Sequence, residues 1–235
     1  LTVLVDDLPN SGFWSGGLTV GADKRLYVGV LTPCDQCQPE AEQGAIWSFA
    51  LDGSGGEIVA TGFRAPTDVA FLQGALWTVD SAPPNFDAAP DGDELNRVTP
   101  GAFYGWPQCV GTVANPAFDT TSPACADDAP TLTLPTHSAP LGLAAYTSNT
   151  FPAIQNTLLL TLSGSYNRAD LTGFAVAAVT IDRAGRPSAV RVILPEQTRT
   201  PEQPVFSLQE MQYRGSGVWP ERPLDVAVSA DGWIY

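Results

Sequence analysis

Two arginines and the lone histidine of this sequence are the side chains best suited to hold an anionic ligand. Arg64, His137 and Arg222 each stand four to six residues before a short apolar run, and Trp14 stands in the same position before a fourth run. Guanidinium groups bind carboxylates through paired hydrogen bonds, and an indole offers a flat face for stacking. If the four runs are equivalent elements, the side chains would surround a planar anion. Alternatively, the arginines pair with the acidic residues that abound in the chain.

A second candidate site lies in segment 91–107, where acidic residues precede a turn rich in glycine and aromatic residues. Asp93 and Glu94 come before a strand-like run, and Tyr104-Gly-Trp-Pro follows it. Carboxylates beside a turn that exposes main-chain oxygens can bind a hard cation such as calcium. The same residues could instead cap a turn and fill the core, and the pattern alone leaves both interpretations open.

The four cysteines fall into two local pairs, Cys34 with Cys37 and Cys109 with Cys125. An even number of cysteines in an acidic, lysine-poor chain favours an oxidising compartment and one disulfide within each pair. A zinc site made by all four, or a redox-active Cys-x-x-Cys pair, are the alternatives. The second pair is too widely spaced for a zinc knuckle, and prolines on both sides of the first pair indicate a loop.

The composition argues against several classes of partner. The chain carries 11 Lys+Arg against 25 Asp+Glu, a formal net charge of -14 in 235 residues, and Lys24 is its only lysine. Such a chain repels the phosphates of nucleic acids and anionic lipids. Its apolar stretches are far shorter than the ~20 residues that cross a bilayer. The sequence therefore predicts neither a nucleic-acid partner nor membrane insertion.

The elements that would position these residues are β-strands. Short alternating runs bounded by Gly, Pro and Asp recur, and helical periodicity is nearly absent. One type of hairpin occurs at 18–28, 69–79 and 226–235, with a looser copy at 143–162. Hairpins that return about every 50 to 80 residues, with two strands between them, are typical of the four-stranded blades of a β-propeller. A β-sandwich is the competing all-β architecture.

The repeat predicts an incomplete arc of about four blades in one domain. The blade boundaries are expected roughly at 7–61, 62–135, 136–195 and, incomplete, 218–235. Because propellers close on themselves, the chain is expected to be a fragment or a processed chain. Segments that precede the innermost strands meet at one mouth of the central channel, so the four candidate ligand-binding residues should lie around one channel, with acids scarce inside it.

Several motifs resemble the glucose/sorbosone dehydrogenase family, six-bladed propellers whose characterised members use pyrroloquinoline quinone and calcium. The most distinctive motif is Asp93-Glu-Leu-Asn-Arg97 followed by Tyr104-Gly-Trp-Pro107. The placement of the cysteines is similar to that of the sorbosone-type branch. The other matching motifs are Gly16-Gly-Leu18, Ala60-Thr-Gly-Phe-Arg64, His137-Ser-Ala-Pro-Leu-Gly-Leu143, Gly164-Ser-Tyr-Asn-Arg168 and Arg222-Pro-Leu-Asp-Val226.

The resemblance implies roles for individual residues. The carbonyl oxygens of Ala82 and Pro83 match the ligands of the calcium ion beside the cofactor, and Glu94 with the Tyr104 carbonyl matches a second, structural ion. The residues at cofactor positions are Trp14, Arg64, Thr67, Arg168 and Arg222.

The matching positions also include departures from the family. Thr67 stands where the family's Arg-Asn-Pro-Gln run has glutamine. The histidine that serves as base falls at about Trp14, and an indole cannot accept a proton. A quinone-contacting lysine falls near Ser163, and Leu224 replaces an arginine. His137 is the remaining candidate for the catalytic base.

The resulting functional hypothesis is a dehydrogenase that oxidises an aldose or related sugar with pyrroloquinoline quinone and calcium. The alternative is a catalytically inactive, exported propeller that binds a carbohydrate or a protein partner. In either case the two predicted disulfides favour a secreted or periplasmic location.

Overall fold

A computed structural model describes residues 1–9, 15–118, 125, 130–166, 168, 171–194 and 222–235. Within them the chain forms fourteen β-strands and one helical element, a 3₁₀ turn at Pro152–Ile154. No helix in this part of the chain is long and apolar enough to cross a membrane. The prediction of an all-β chain is confirmed.

The strands form three four-stranded antiparallel sheets that follow one another along the chain. The first sheet, in order β1-β2-β3-β4, comprises Ser15–Val20, Arg25–Val30, Ala45–Ala50 and Glu57–Thr61. The second begins with β5, β6 and β7, which are Pro66–Leu72, Ala75–Asp80 and Asp93–Val98.

A small hairpin interrupts the second sheet before its fourth strand. Strands β8 and β9, Cys109–Val110 and Val113–Ala114, pair with each other, and β10, Leu132–Leu134, then pairs with β7. The third sheet, in order β11-β12-β13-β14, comprises Pro140–Tyr146, Thr157–Leu162, Ala175–Ile181 and Pro187–Leu194. Beyond it, Val228 bridges Ile234 in the last segment.

The hairpin turns form where the local sequence permits positive backbone angles. Strands β5 and β6 are joined by Gln73 and Gly74, which have φ angles of 52° and 76°. Two consecutive residues with positive φ make the tight turn whose twist matches that of antiparallel strands. The paired residues Leu72 and Ala75 close the hairpin on either side.

Each sheet packs its face against the next sheet. Trp77 and Leu95 of the second sheet share a buried cluster with Leu143 and Leu160 of the third. A second cluster joins the first two sheets, and a third joins the last sheet to segment 226–234. Sheets stacked in series, each packed on its neighbour, are an arc of propeller blades. The two-sheet sandwich alternative is wrong.

The innermost strands border a common channel. Strand β5 contacts both β1 and β11. A cavity of about 1090 Å³ lies along these three strands and residues 224–228. The loops that precede and follow the strands therefore meet at the ends of this channel, and the candidate site is built from them.

Candidate functional site

A path of hydrogen bonds begins at Arg64, just before β5, and leads into the third blade. The Arg64 Nη1 donates to the carbonyl oxygens of Ser81 and Ala82, at 2.8 and 3.2 Å. The Ala82 N–H donates to Asp93 Oδ1 at 2.7 Å, and the Ser138 hydroxyl donates to Asp93 Oδ2 at 2.9 Å. Asp93 thus joins the loop after β6 to the segment that precedes β11.

The same path continues to Arg222. The Gly164 N–H donates to the Ser138 carbonyl at 2.9 Å, and Arg222 Nη1 donates to the Gly164 carbonyl at 2.6 Å. His137 adjoins Ser138 in the chain. The structure therefore brings Arg64, His137 and Arg222 onto one connected rim, whereas Trp14 lies outside the described residues.

The surroundings of Arg64 contradict the expectation that acids would be scarce around the arginines. Its Nε donates to Asp35 Oδ1 at 3.2 Å, and its Nη2 forms an ion pair with the same oxygen. Asp35 lies within the Cys34–Cys37 loop, 29 residues from Arg64 in sequence. The expectation is wrong at this position because blade packing brings that loop against the guanidinium.

Arg222 is held without a carboxylate among the described residues. Its Nη1 and Nη2 donate to the carbonyl oxygens of residues 163–165, at distances of 2.6 to 3.0 Å. Its guanidinium lies over the rings of Phe174 and Tyr166, 4.6 and 4.9 Å from the ring centroids. Carbonyl groups and aromatic faces stabilise a cation without cancelling its charge. The positive charge of Arg222 is therefore not balanced by a carboxylate of the described residues and can attract an anionic ligand.

His137 forms a cluster with two residues of other loops. Its Nε2 lies 3.0 Å from Asp87 Oδ1, and Arg168 Nη2 donates to the same oxygen at 2.6 Å. The hydrogen bond from His137 and that from Arg168 lower the pKa of Asp87. An ionised Asp87 favours the tautomer in which Nε2 carries the proton, which leaves Nδ1 able to accept one.

The backbone at His137 is strained and is held by neighbouring contacts. His137 and Ala139 have φ angles of 70° and 49°, in the left-handed region that favours glycine. The Ala139 N–H donates to Asp93 Oδ2 at 2.9 Å, beside the bond from Ser138. Such conformations persist where surrounding bonds fix them, and they concentrate at functional sites.

A small cavity lies beside Arg64 and Ala82, at one end of the rim. It has room for about 10 Å³, roughly one water-sized sphere. Glu94 and Tyr104 both line it. Ala82, Pro83, Asp80, Arg64 and Trp106 are also among the lining residues. The residues that the resemblance assigns to two separate calcium ions thus line the same cavity.

Buried acids dominate this cavity. Burial, followed by the charge of Asp80, raises the pKa of Glu94 well above its ordinary value. Burial also raises the pKa of Asp80 to about 6, although N–H groups of Ala65 and Arg64 donate to its carboxylate. The indole Nε1 of Trp106 is buried without a hydrogen-bond partner in the described structure.

The cation-binding potential of the cavity depends mainly on oxygen atoms of the main chain. Within the described ranges, no three His, Cys, Asp or Glu side chains gather as a metal-binding cluster. Glu94 Oε1 accepts from the Gly111 N–H at 2.9 Å, and Oε2 accepts from Asn96 Nδ2 at 2.7 Å. A cation here would be bound by one buried carboxylate together with carbonyl oxygens, which are ligands that calcium prefers.

Comparison with known proteins identifies the family. The family described as "Glucose / Sorbosone dehydrogenase" matches residues 14–180, which is more than half of the chain. The chain belongs to the glucose/sorbosone dehydrogenase family. An uncharacterised protein of Borreliella burgdorferi is 29% identical over 154 residues, which cover 63% of this chain and 41% of that protein.

Solved structures of sugar dehydrogenases and related enzymes share the fold. A family AA12 carbohydrate-active enzyme from Trichoderma reesei superposes with a TM-score of 0.68 at 18% identity, covering 92% of this chain and 63% of that one. The pyranose dehydrogenase PQQ domain from Coprinopsis cinerea gives 0.66 at 20% identity, covering 93% and 66%. The soluble aldose sugar dehydrogenase from Escherichia coli gives 0.58 at 19% identity, covering 93% and 58%.

This member of the glucose/sorbosone dehydrogenase family spans less than two thirds of the length of these relatives. Both predicted disulfides are present, Cys34–Cys37 and Cys109–Cys125, with Cα–Cα distances of 5.8 and 5.7 Å. The alternative of a zinc site made by all four cysteines is therefore wrong.

Thr67, which stands where the family pattern has glutamine, holds two blades together. Its hydroxyl donates to the Pro140 carbonyl at 2.9 Å, which ties the second blade to the third. Thr67 also lines the central channel. Its hydroxyl oxygen remains a hydrogen-bond acceptor.

Three acids make contacts at the site that the sequence did not predict. Asp35 contacts Arg64, Asp87 contacts His137, and Asp93 joins two blades. Asp35 lies inside the Cys34–Cys37 motif and Asp87 in a loop without a distinctive motif, and the partner of each belongs to another blade or loop. Asp93 begins the Asp-Glu-Leu-Asn-Arg motif, yet its inter-blade contact was not predicted.

Proposed function

We propose that this chain is part of a sugar dehydrogenase that uses pyrroloquinoline quinone and calcium to oxidise an aldose or related sugar. The observation that carries the proposal is the connected rim, which joins Arg64, His137 and Arg222, together with the cavity beside Arg64 that Glu94 and Tyr104 line. Cationic, proton-accepting and oxygen-rich groups are thus linked by one set of hydrogen bonds. Family membership supports the class of reaction.

The arginines would bind the carboxylates of the quinone. Arg222 is the better-prepared anchor, because its present contacts are carbonyl oxygens and aromatic faces. Arg64 would bind a carboxylate of the quinone once its Nε and Nη2 groups are released from Asp35. Arg168 and Thr67 would provide further donors, and Trp14, predicted from the sequence, would offer a stacking face. When bound, the quinone would accept the hydride that leaves the sugar carbon.

The cavity at one end of the rim fits a cation. Glu94 is buried near Asp80 and Asp93, and each of these charges raises its pKa. A divalent cation would relieve this repulsion, with Glu94 and the Tyr104 carbonyl as ligands. The cavity has room for about one water-sized sphere, so a single ion would fill it. The carbonyls of Ala82 and Pro83, which the resemblance assigns to a cofactor-side ion, would then contribute to the same site, although Ala82 now accepts from Arg64.

His137 would serve as the general base. With Nε2 hydrogen-bonded to Asp87, its Nδ1 would take the proton of the sugar hydroxyl, and the carboxylate would stabilise the imidazolium that forms. Arg168 donates to the same Asp87 oxygen and would help to hold that carboxylate in place. Because the two disulfides persist in an oxidising environment, we place the protein in the periplasm or outside the cell.

The test is reconstitution of the full-length protein with pyrroloquinoline quinone and CaCl₂, followed by dye reduction with D-glucose and other aldoses. We expect turnover that His137→Gln lowers by about 10²- to 10⁴-fold. Arg186→Gln is the matched control, because Arg186 pairs with Asp182 in an exposed turn of the third blade.

The second candidate function is an inactive propeller that binds a carbohydrate or a protein partner. The contact that favours it is the ion pair between Asp35 and Arg64, which covers an expected cofactor anchor. Carbohydrate binding without quinone binding or dye reduction would select this function and overturn the dehydrogenase proposal.

A further inference from the structure

The guanidinium of Arg64 has its carboxylate-binding edge occupied by the protein itself. Nε and Nη2 form one of the two edges through which arginine grips a carboxylate, and both point to Asp35 Oδ1. Nη1 is bound to the carbonyls of Ser81 and Ala82. A ligand carboxylate therefore meets an arginine whose best donor pair is already used.

The loop that presents Asp35 is fixed in two ways. The Cys34–Cys37 disulfide closes a ring that contains Asp35. Thr32, just before this ring, donates to the Arg64 carbonyl through both its N–H and its hydroxyl, at 2.9 and 3.0 Å. The loop is thus attached to the main chain of the arginine that its carboxylate covers.

We propose that Asp35 determines what Arg64 can bind, because it occupies the anion-binding edge and must be displaced by any carboxylate ligand. This inference rests on the proposed function, in which the quinone supplies that carboxylate. The side chain of Asp35 is 34% exposed and that of Arg64 is 17% exposed, so Asp35 is the outer partner. Its carboxylate can swing into solvent while the disulfide ring stays in place.

The first experiment titrates pyrroloquinoline quinone into the full-length protein by isothermal calorimetry. Asp35→Asn removes the competing charge, and we expect affinity to rise about 10- to 100-fold, the range for a hydrogen bond to a charged group. Asp35→Glu retains the charge and should stay close to wild type. A double Cys34→Ser, Cys37→Ser variant opens the ring and should increase affinity by a smaller factor.

Asp182→Asn is the matched control, because Asp182 forms an ion pair with Arg186 in an exposed turn. Its quinone affinity should equal that of wild type. Thermal melting of every variant checks that each one is folded. Equal affinity of wild type and Asp35→Asn would overturn the role of Asp35 and leave the dehydrogenase proposal standing.

The second experiment does not depend on the quinone. Phenylglyoxal labels accessible arginines, and peptide mass spectrometry would report the labelling rate of Arg64 with Arg186 as internal reference. We expect faster labelling of Arg64 in Asp35→Asn. Faster labelling without quinone binding in any variant would overturn the proposed function but support the covering role of Asp35. Unchanged labelling and no quinone binding would overturn both.

Discussion

Asp93 offers the most quantitative test of how the rim is held together. Asp93 is 1% exposed, and its carboxylate accepts hydrogen bonds from the Ala82 N–H, the Ala139 N–H and the Ser138 hydroxyl. In Asp93→Ala these three buried donors lose their partner, at about 1 to 3 kcal/mol each. Asp93→Asn keeps one acceptor oxygen and should be less severe.

The ionisation of Asp93 offsets part of this loss at neutral pH. Burial raises its pKa from 3.8 to about 6, despite the three hydrogen bonds. This corresponds to about 3 kcal/mol of instability above pH 6, because each tenfold change in proton binding is worth ~1.4 kcal/mol. The net expectation for Asp93→Ala is a loss of about 0 to 6 kcal/mol at pH 7.5.

The pH dependence follows from the sign of the shift. Since the pKa is raised in the folded state, wild type gains stability as pH falls through 6 toward 3.8, and the alanine variant lacks this gain. The destabilisation by Asp93→Ala should therefore be larger at pH 5 than at pH 7.5. Asp182 should show the opposite pH dependence. Hydrogen bonds from Arg186 lower its pKa, so its contribution to stability is lost as pH falls.

The assay is urea unfolding of the full-length protein, followed by tryptophan fluorescence at pH 5 and pH 7.5. The refuting result is a free-energy difference below about 1 kcal/mol at both pH values, less than one buried donor should cost. A loss of stability in Asp93→Ala that is smaller at pH 5 than at pH 7.5 would also refute the reasoning, because it would show that burial does not destabilise the ionised form of Asp93.

Three further predictions concern the base, the cation and the inner strands. Asp87→Asn should lower the dye-reduction rate of the reconstituted protein at least 10-fold at saturating quinone, since Asp87 orients His137; equal rates would exclude this role. Glu94→Gln should abolish most of the rise in melting temperature that CaCl₂ gives the wild type, and an undiminished rise would place the ion elsewhere. Gly17→Ala should lower the free energy of unfolding in urea by about 1 to 3 kcal/mol, because its Cβ would collide with the Asp68 carboxylate. The same substitution made in Asp68→Ala should cost much less, and an equal cost there would show that the collision is not the cause.

The hairpins and the disulfides were predictable because their causes are local. The β5–β6 turn depends on the adjacent residues Gln73 and Gly74, and alternating apolar residues on either side define the strands. The cysteine pairs are separated by 3 and 16 residues, so short loops bring them together whatever the wider fold. The family motif around Glu94 also lies within a few consecutive residues.

The contacts that define the chemistry of the site were not predictable. Asp87 lies 50 residues from His137, and Asp68 accepts a hydrogen bond from the Leu143 N–H 75 residues away. Both pairs depend on how one blade or loop packs against another. Neither the spacing nor the type of an isolated aspartate specifies which distant loop it will face.

The sequence by itself therefore determined the all-β class, the blade repeat, the cysteine pairing and the family, because turns, alternation and motifs act over short distances along the chain. Only the tertiary structure decided that Arg64 is covered by Asp35, that His137 has a carboxylate partner and that Asp93 joins two blades. The physical reason is that blade packing, which buries the apolar faces of whole sheets, sets the neighbours of the rim residues. The polar contacts of the site form between the loops that this packing brings together.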